Sequence, residues 1–249
     1  MTVELHGTVA LITGGAKRVG RAIVLELARG GCDVAIHYRR SRTEAEELAA
    51  QVVDMGRRAV IVGGDLNDPA SWPAIIRELI DRLNRLDVLV NNASAFLTGQ
   101  PDSVNGFDHG RWESMLRTNV VAPMALSHHA RPYLEACGQG KIVNLCDIAA
   151  DRPWPEHLAY CTSKAALSAL TKGLARALAP GIQVNGVAPG IAVFPDEYSA
   201  EKRRSLVRRV PLRREGTPEE VARLVRFLVE SSHYVTGQII RIDGGRSLV

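Results

Sequence analysis

An apolar run, TVALIT (8–13), passes straight into a glycine-rich turn, TGGAKRVG (13–20), and the turn opens an amphipathic segment, VGRAIVLELARGG (19–31). A run rich in β-branched residues reads as a buried strand. The segment after it repeats its apolar residues at helical spacing and ends in glycines that can cap it. Gly14, Gly15 and Gly20 allow a sharp turn and close approach to a ligand, and the free N–H groups of the following helix start favour phosphate. Gly14, Lys17, Arg18 and Val19 are therefore candidate nucleotide-binding residues.

The same alternation continues. CDVAIHY (32–38), AVIVGGDL (59–66), DVLVNNAS (87–94), KIVNLCD (141–147), IQVNGVAPG (182–190) and GQIIRID (237–243) read as strands. SRTEAEELAAQVVDM (41–55), PASWPAIIRELIDRL (69–83), a long segment from about Asp108 to Ala136, YCTSKAALSALTKGLARALA (160–179) and TPEEVARLVRFLVE (217–230) read as helices. Ser41 suits an N-cap, and Thr-Pro-Glu-Glu is a helix-start signature. Strands alternating with helices predict an α/β fold, a parallel sheet covered on both faces. The 249 residues, 46% of them hydrophobic, suit one domain spanning 1–249.

The net charge of +4 is scattered apart from one cluster, EKRRSLVRRVPLRREG (201–216). That cluster reads either as a solvated helix beside a loop or as a lure for anionic substrates. Cys32, Cys137, Cys146 and Cys161 form no CxxC pair and read as reduced thiols, so a cytoplasmic protein is expected. The chain start has no secretory pattern, and no apolar run approaches the ~20 residues of a membrane span. Neither a membrane nor a nucleic-acid partner is expected, and no metal-ligand set is assigned.

The tip of the second strand selects the nucleotide. An NAD site carries an acid there for the ribose 2′-OH. This chain has His37, Tyr38, Arg39, Arg40 and Ser41 instead. Guanidiniums suit a 2′-phosphate, because their planar fork can bond two oxygens, so NADPH is expected. Asp65, followed by Leu66, can accept from the adenine amino group. Tyr160 and Lys164 are spaced i, i+4 and share a helix face. A nearby ammonium stabilises phenolate and is expected to lower the Tyr160 pKa from ~10, readying the phenol as a proton donor.

TGGAKRVG, DVLVNNAS, Asn119 in RTNVVAP, YCTSK, VNGVAPG and the closing IDGG together resemble the short-chain dehydrogenase/reductase family over essentially the whole chain. The resemblance implies a Rossmann fold, a doubly wound seven-stranded parallel sheet, and a catalytic set of Asn, Ser, Tyr and Lys. That set falls on Asn119, position 147, Tyr160 and Lys164. It further implies that Asn119 supports a water-linked proton path to the lysine. Lys164 would also hold the nicotinamide ribose. Asn92, Ala93 and Ser94 would lie along the cofactor, and Pro189 and Gly190 near the nicotinamide.

Position 147 departs from that set, because it holds Asp147 where the family has serine. An ionised carboxylate cannot donate to a carbonyl and would repel a forming alkoxide. A carboxyl in a closed, apolar site has a raised pKa and can share a proton with Tyr160 to protonate a ring nitrogen. The pattern is similar to the pteridine reductase and dihydromonapterin reductase subgroup. Arg18 matches the arginine of its nucleotide turn, which implies contact with cofactor phosphate and pterin. NNASAF (91–96) implies that Phe96 stacks on the pterin and that Ser94 touches cofactor or pterin. The ending DGGRSLV implies a tail that can reach a neighbouring subunit's site, and the family implies a homotetramer.

The reading is an NADPH-dependent reductase of dihydropterins, with dihydrofolate as a further substrate. Its substrate would meet Arg18, Ser94, Phe96, Asp147 and Tyr160. Two alternatives stay open: a carbonyl reductase, such as one acting on 3-oxoacyl thioesters, and a non-catalytic NADPH sensor. The segment 191–212, where substrate loops vary, is left without assigned residues. The tryptophan of DRPWPEHLAY is open between pocket and core.

Overall fold

Strand β1 (Val9–Ile12) is buried along its whole length, as an apolar run covered on both faces must be. Its residues alternate between two cores. Ala10 and Ile12 join one with α1 (Arg18–Arg29), α2 (Arg42–Asp54) and α8 (Pro218–Glu230). Val9 and Leu11 join the other with α3 (Ser71–Leu83), α5 (Ala122–Ala136) and α6 (Leu158–Ala177). Period-two alternation puts successive side chains on opposite faces, which makes the sheet the middle layer of three. The computed structural model describes residues 5–96, 106–195 and 197–249.

The sheet has seven strands, all parallel, in the order β3-β2-β1-β4-β5-β6-β7. The other six are β2 (Asp33–Tyr38), β3 (Ala59–Gly63), β4 (Val88–Asn91), β5 (Gly140–Leu145), β6 (Ile182–Pro189) and β7 (Ile239–Ile242). This is the doubly wound Rossmann arrangement. Winding reverses between β1 and β4, and a crevice opens at their carboxyl ends, where ligands of such sheets bind. The glycine turn leaves β1 there, and NNAS leaves β4 beside it.

Two strand ends are shorter than expected. β3 stops at Gly63 because the Gly64 N–H still donates to Tyr38 O while Asp65 accepts from Asn67 N–H in a tight turn. β5 stops at Leu145 because Asp147 starts a 3₁₀ turn (Ile148–Ala150). The long helical segment is α4 (His109–Leu116), a π-helical turn (Arg117–Val121) and α5. π turns inside helices are frequent at functional sites, and this one carries Asn119.

Helix α8 starts with a reciprocal capping box between Thr217 and Glu220, as its sequence signature promised. The basic cluster forms α7 (Ala200–Val207), which buries none of its residues, and the turns after it. The four cysteines are unbridged. No helix among the described residues is long and apolar enough to cross a membrane.

Candidate active site

The nucleotide end is built from backbone. Gly14 has φ +60°, which a side chain rarely adopts. A Cβ on Gly20 would lie 2.2 Å from Gly14 O and 2.7 Å from Asn92 Nδ2, so only glycine lets α1 start this close to the turn. Thr13 closes the other side. Its buried hydroxyl accepts from Asn92 N–H (2.9 Å) and Ala93 N–H (3.0 Å), while Asn92 Nδ2 donates to Thr13 O (2.8 Å) and Gly14 O (3.2 Å). The turn after β4 is thereby bolted to the turn after β1. Asn92, expected along the cofactor, spends its side-chain amide on this bolt.

His37 corrects the sequence reading. It was grouped with the cofactor loop, yet it is only 2% exposed and both its ring nitrogens are engaged. Nδ1 accepts from Gly14 N–H (3.1 Å), and Nε2 pairs with Gly64 O (3.1 Å), which fixes the neutral ring with its proton on Nε2. Burial lowers its pKa to about 4, so it stays neutral at physiological pH. It braces the glycine turn against the end of β3.

The remaining polar residues of that loop stay at the rim. Arg39 and Arg40 are exposed, and Arg39 lies 3.9 Å from Asp65. Tyr38 is half-buried against Gly63, and Ser41 precedes α2 without a side-chain cap bond. Lys17 pairs with Glu44 of α2 at 2.6 Å. Leu66 is buried, Val19 packs against the core, and Gly190 N–H, after Pro189, donates to Ile242 O.

Arg18 stands at φ +51°. A non-glycine residue there costs on the order of 1–2 kcal/mol, and such strain gathers where a side chain is needed for function.

The chemical end is built from side chains. Asp147, extended at φ −158°, follows β5 and faces Tyr160 from α6. The Tyr160 hydroxyl donates to Asp147 Oδ2 at 2.7 Å, and Asp147 Oδ1 accepts from Ala149 N–H at 2.8 Å. Lys164 Nζ donates to Leu145 O at 2.8 Å and sits 5.7 Å from the centre of the Tyr160 ring.

Burial shifts the pKa of all three. It raises the Asp147 pKa, with the Ala149 N–H and Tyr160 bonds and Lys164 working against it. It lowers that of Lys164. It raises that of Tyr160 well above 10, and the adjacent Asp147 carboxylate adds to the rise. Burial and the acid thus shift Tyr160 in the direction opposite to the expected lowering, and its hydroxyl is the donor in the bond to Asp147.

The Asn119 side chain is fully bonded. Its Nδ2 donates to Ala95 O (3.0 Å) and Ser163 Oγ (2.9 Å), and its Oδ1 accepts from Ala95 N–H (2.7 Å) and Ser94 Oγ (3.2 Å). Those four bonds use the whole capacity of an amide. Its side chain clamps the Ser94–Ala95 loop to α6.

Aromatic rings wall the site. Phe96 lies edge-on to Tyr160 with centroids 4.8 Å apart and 4.9 Å from the His157 ring. Trp154 lies nearly parallel to Tyr160, 16° apart at 6.1 Å, packed against the small apolar cluster that holds Tyr160 and Met115. Thr13, Ser163 and His157 were not singled out from sequence. Their signal is only that each stands within or beside a motif, and their roles are set by long-range contacts.

A family model described as enoyl-(acyl carrier protein) reductase matches residues 14–247. The chain belongs to the short-chain dehydrogenase/reductase family. Among related short-chain enzymes, the 3-oxoacyl-(acyl-carrier-protein) reductase FabG of Staphylococcus aureus is 32% identical over 240 residues, 95% of this chain and 96% of its own. The crystal structure of FolM alternative dihydrofolate reductase 1 from Brucella canis, complexed with NADP, superposes with a TM-score of 0.92 at 35% identity, covering 99% of this chain and 96% of that one. The Brucella suis FolM structure with NADP gives 0.91 at 36%, covering 97% and 96%.

Proposed function

We propose that this short-chain oxidoreductase uses NADPH to reduce dihydropterins to tetrahydropterins. The observation that carries the reading is the 2.7 Å bond between the Tyr160 phenol and Asp147, where the family has serine. The cradle fits NADP(H): a glycine turn that no Cβ could enter at Gly20, and Arg39 and Arg40 at the tip of β2. The short-chain FolM structures that resemble it contain NADP. When bound, NADPH supplies hydride to a carbon of the pterin C=N bond.

The chain's own residues do the rest. Gly14 and the start of α1 hold pyrophosphate, Arg39 and Arg40 hold the 2′-phosphate, and Lys164 holds the ribose. Phe96 and Arg18 orient the ring, with Ser94 at its edge. Asp147, its acidity weakened by burial, shares the proton of the Tyr160 hydroxyl, and the pair delivers it to the ring nitrogen beside the reduced carbon. Asn119 positions the loop that carries Ser94 and Phe96. A serine hydroxyl could not supply that proton, because its pKa is far too high.

A second reading, reduction of 3-oxoacyl thioesters, is supported by the FabG relative and opposed by Asp147, which would repel an alkoxide. NADPH oxidation with dihydrobiopterin, dihydromonapterin, dihydrofolate and an acetoacetyl thioester tests both. Turnover of pterins with the thioester inert is expected, and the reverse would defeat the proposal. The homotetramer belongs to the same proposal and is checked by light scattering of the purified protein.

A further inference from the structure

An open groove of about 700 Å³ is lined by Arg152, Arg208, Arg209 and Arg213, with Val249 at its edge. Arginines on a surface ordinarily find carboxylates. Here Arg214 does, pairing with Glu220 at 2.7 Å, while Arg208 and Arg209 form no ion pair among the described residues. The neighbouring acids are engaged elsewhere. Asp151 holds Arg241 at 2.5 Å, and Asp243 accepts from Gly245 N–H and Ser247 N–H.

The groove is tied to the reaction centre by covalent and hydrogen-bonded links. Arg152 ends the turn that Asp147 begins, its N–H donating to Ile148 O. Its guanidinium reaches Arg246 O and Ser247 O in the C-terminal turn, both at 3.5 Å. Arg246 itself lies within electrostatic reach of both Asp147 and Arg209. Arg213 adds a strained backbone, φ +55°, and donates to Arg208 O, which fixes two of the arginines relative to each other.

We infer that this arginine groove binds an anionic arm of the substrate while the reacting group sits between Phe96, Tyr160 and Asp147. Planar guanidiniums favour carboxylates and phosphates, the groups they can bond in pairs. On the pterin reading, which supplies the identity of the arm, the arm is the glutamyl dicarboxylate of dihydrofolate. Neutral-armed pterins such as dihydrobiopterin would leave the groove empty. On a thioester substrate the same chemistry would be met by the phosphates of coenzyme A.

The experiment compares the wild-type protein with the Arg208→Gln/Arg209→Gln double variant on two matched pairs. One pair is dihydrofolate and dihydrobiopterin. The other is acetoacetyl-coenzyme A and the uncharged acetoacetyl-N-acetylcysteamine. Two partly exposed ion pairs are worth roughly a factor of 5–10 together. The kcat/KM ratio of dihydrofolate to dihydrobiopterin should therefore fall about that much in the variant, and the wild-type ratio should fall with added salt. A ratio untouched by both the substitution and salt overturns the groove while leaving the pterin reading standing. If only the thioesters react and the coenzyme A preference falls in the variant, the groove stands with phosphate as its ligand and the pterin reading fails.

Discussion

The two ends of the crevice are made in opposite ways. At the nucleotide end the working parts are main-chain N–H groups and the space left by missing side chains, braced by Thr13, His37 and Asn92. At the chemical end they are three titratable side chains whose charge depends on burial. A backbone cradle holds the same shape whatever the pH. A buried carboxyl, phenol and ammonium change character with any neighbour. Substitutions at the first end should change binding and stability, and at the second, rate.

The largest contrast is expected at Tyr160→Phe. Loss of the phenol proton should lower kcat by about 10²–10⁴-fold, the usual worth of acid–base groups. NADPH affinity, measured by fluorescence titration, should hold within a factor of about two. A parallel loss of NADPH affinity would show that the two ends are not separable.

Gly20→Ala is the mirror experiment. A Cβ 2.2 Å from Gly14 O must push the start of α1 off the turn. Overpacking of this kind costs about 1–3 kcal/mol and should be read as a lower denaturation midpoint together with a raised KM for NADPH. A variant with normal stability and normal KM would mean that the cradle is softer than described.

His37 turns the contrast into a pH test. Its folded-state pKa, about 4, lies below the ordinary 6.5. The unfolded chain therefore binds more protons between those values, and stability falls as pH drops through that window. A shift of that size corresponds to roughly 3 kcal/mol. Thermal unfolding from neutral pH down to about 4 should show this loss, and His37→Gln should flatten it.

The smallest effect is expected at Arg18→Gly. Relief of the left-handed strain should raise stability by up to about 1 kcal/mol, while the KM for pterin and NADPH rises. A stabilised variant with unchanged KM would reduce Arg18 to a backbone accident.

The legibility of the sequence follows the same division. The alternation of apolar runs and amphipathic segments was enough for the sheet, its helices and the position of the glycine turn, because period and turn chemistry act locally. Asp147, Tyr160 and Lys164 were legible as identities and as neighbours. Their protonation was not, since burial comes from Phe96, Trp154 and Met115, which only the fold brings together around Tyr160. His37 was misread for the same reason. A histidine at a strand tip looks like a loop residue until the partners on both sides of it, Gly14 and Gly64, are known. The fully bonded amide of Asn119 likewise depends on a π turn, which has no clear spacing in the sequence.

The central claim is that Asp147 is an acid suited to a ring nitrogen, and Asp147→Ser tests it most directly. Turnover of dihydrobiopterin and of an acetoacetyl thioester should be measured in both proteins. The account predicts a loss of about 100-fold or more on the pterin, with thioester turnover equal to or above that of the wild type. Unchanged pterin turnover in Asp147→Ser would contradict it.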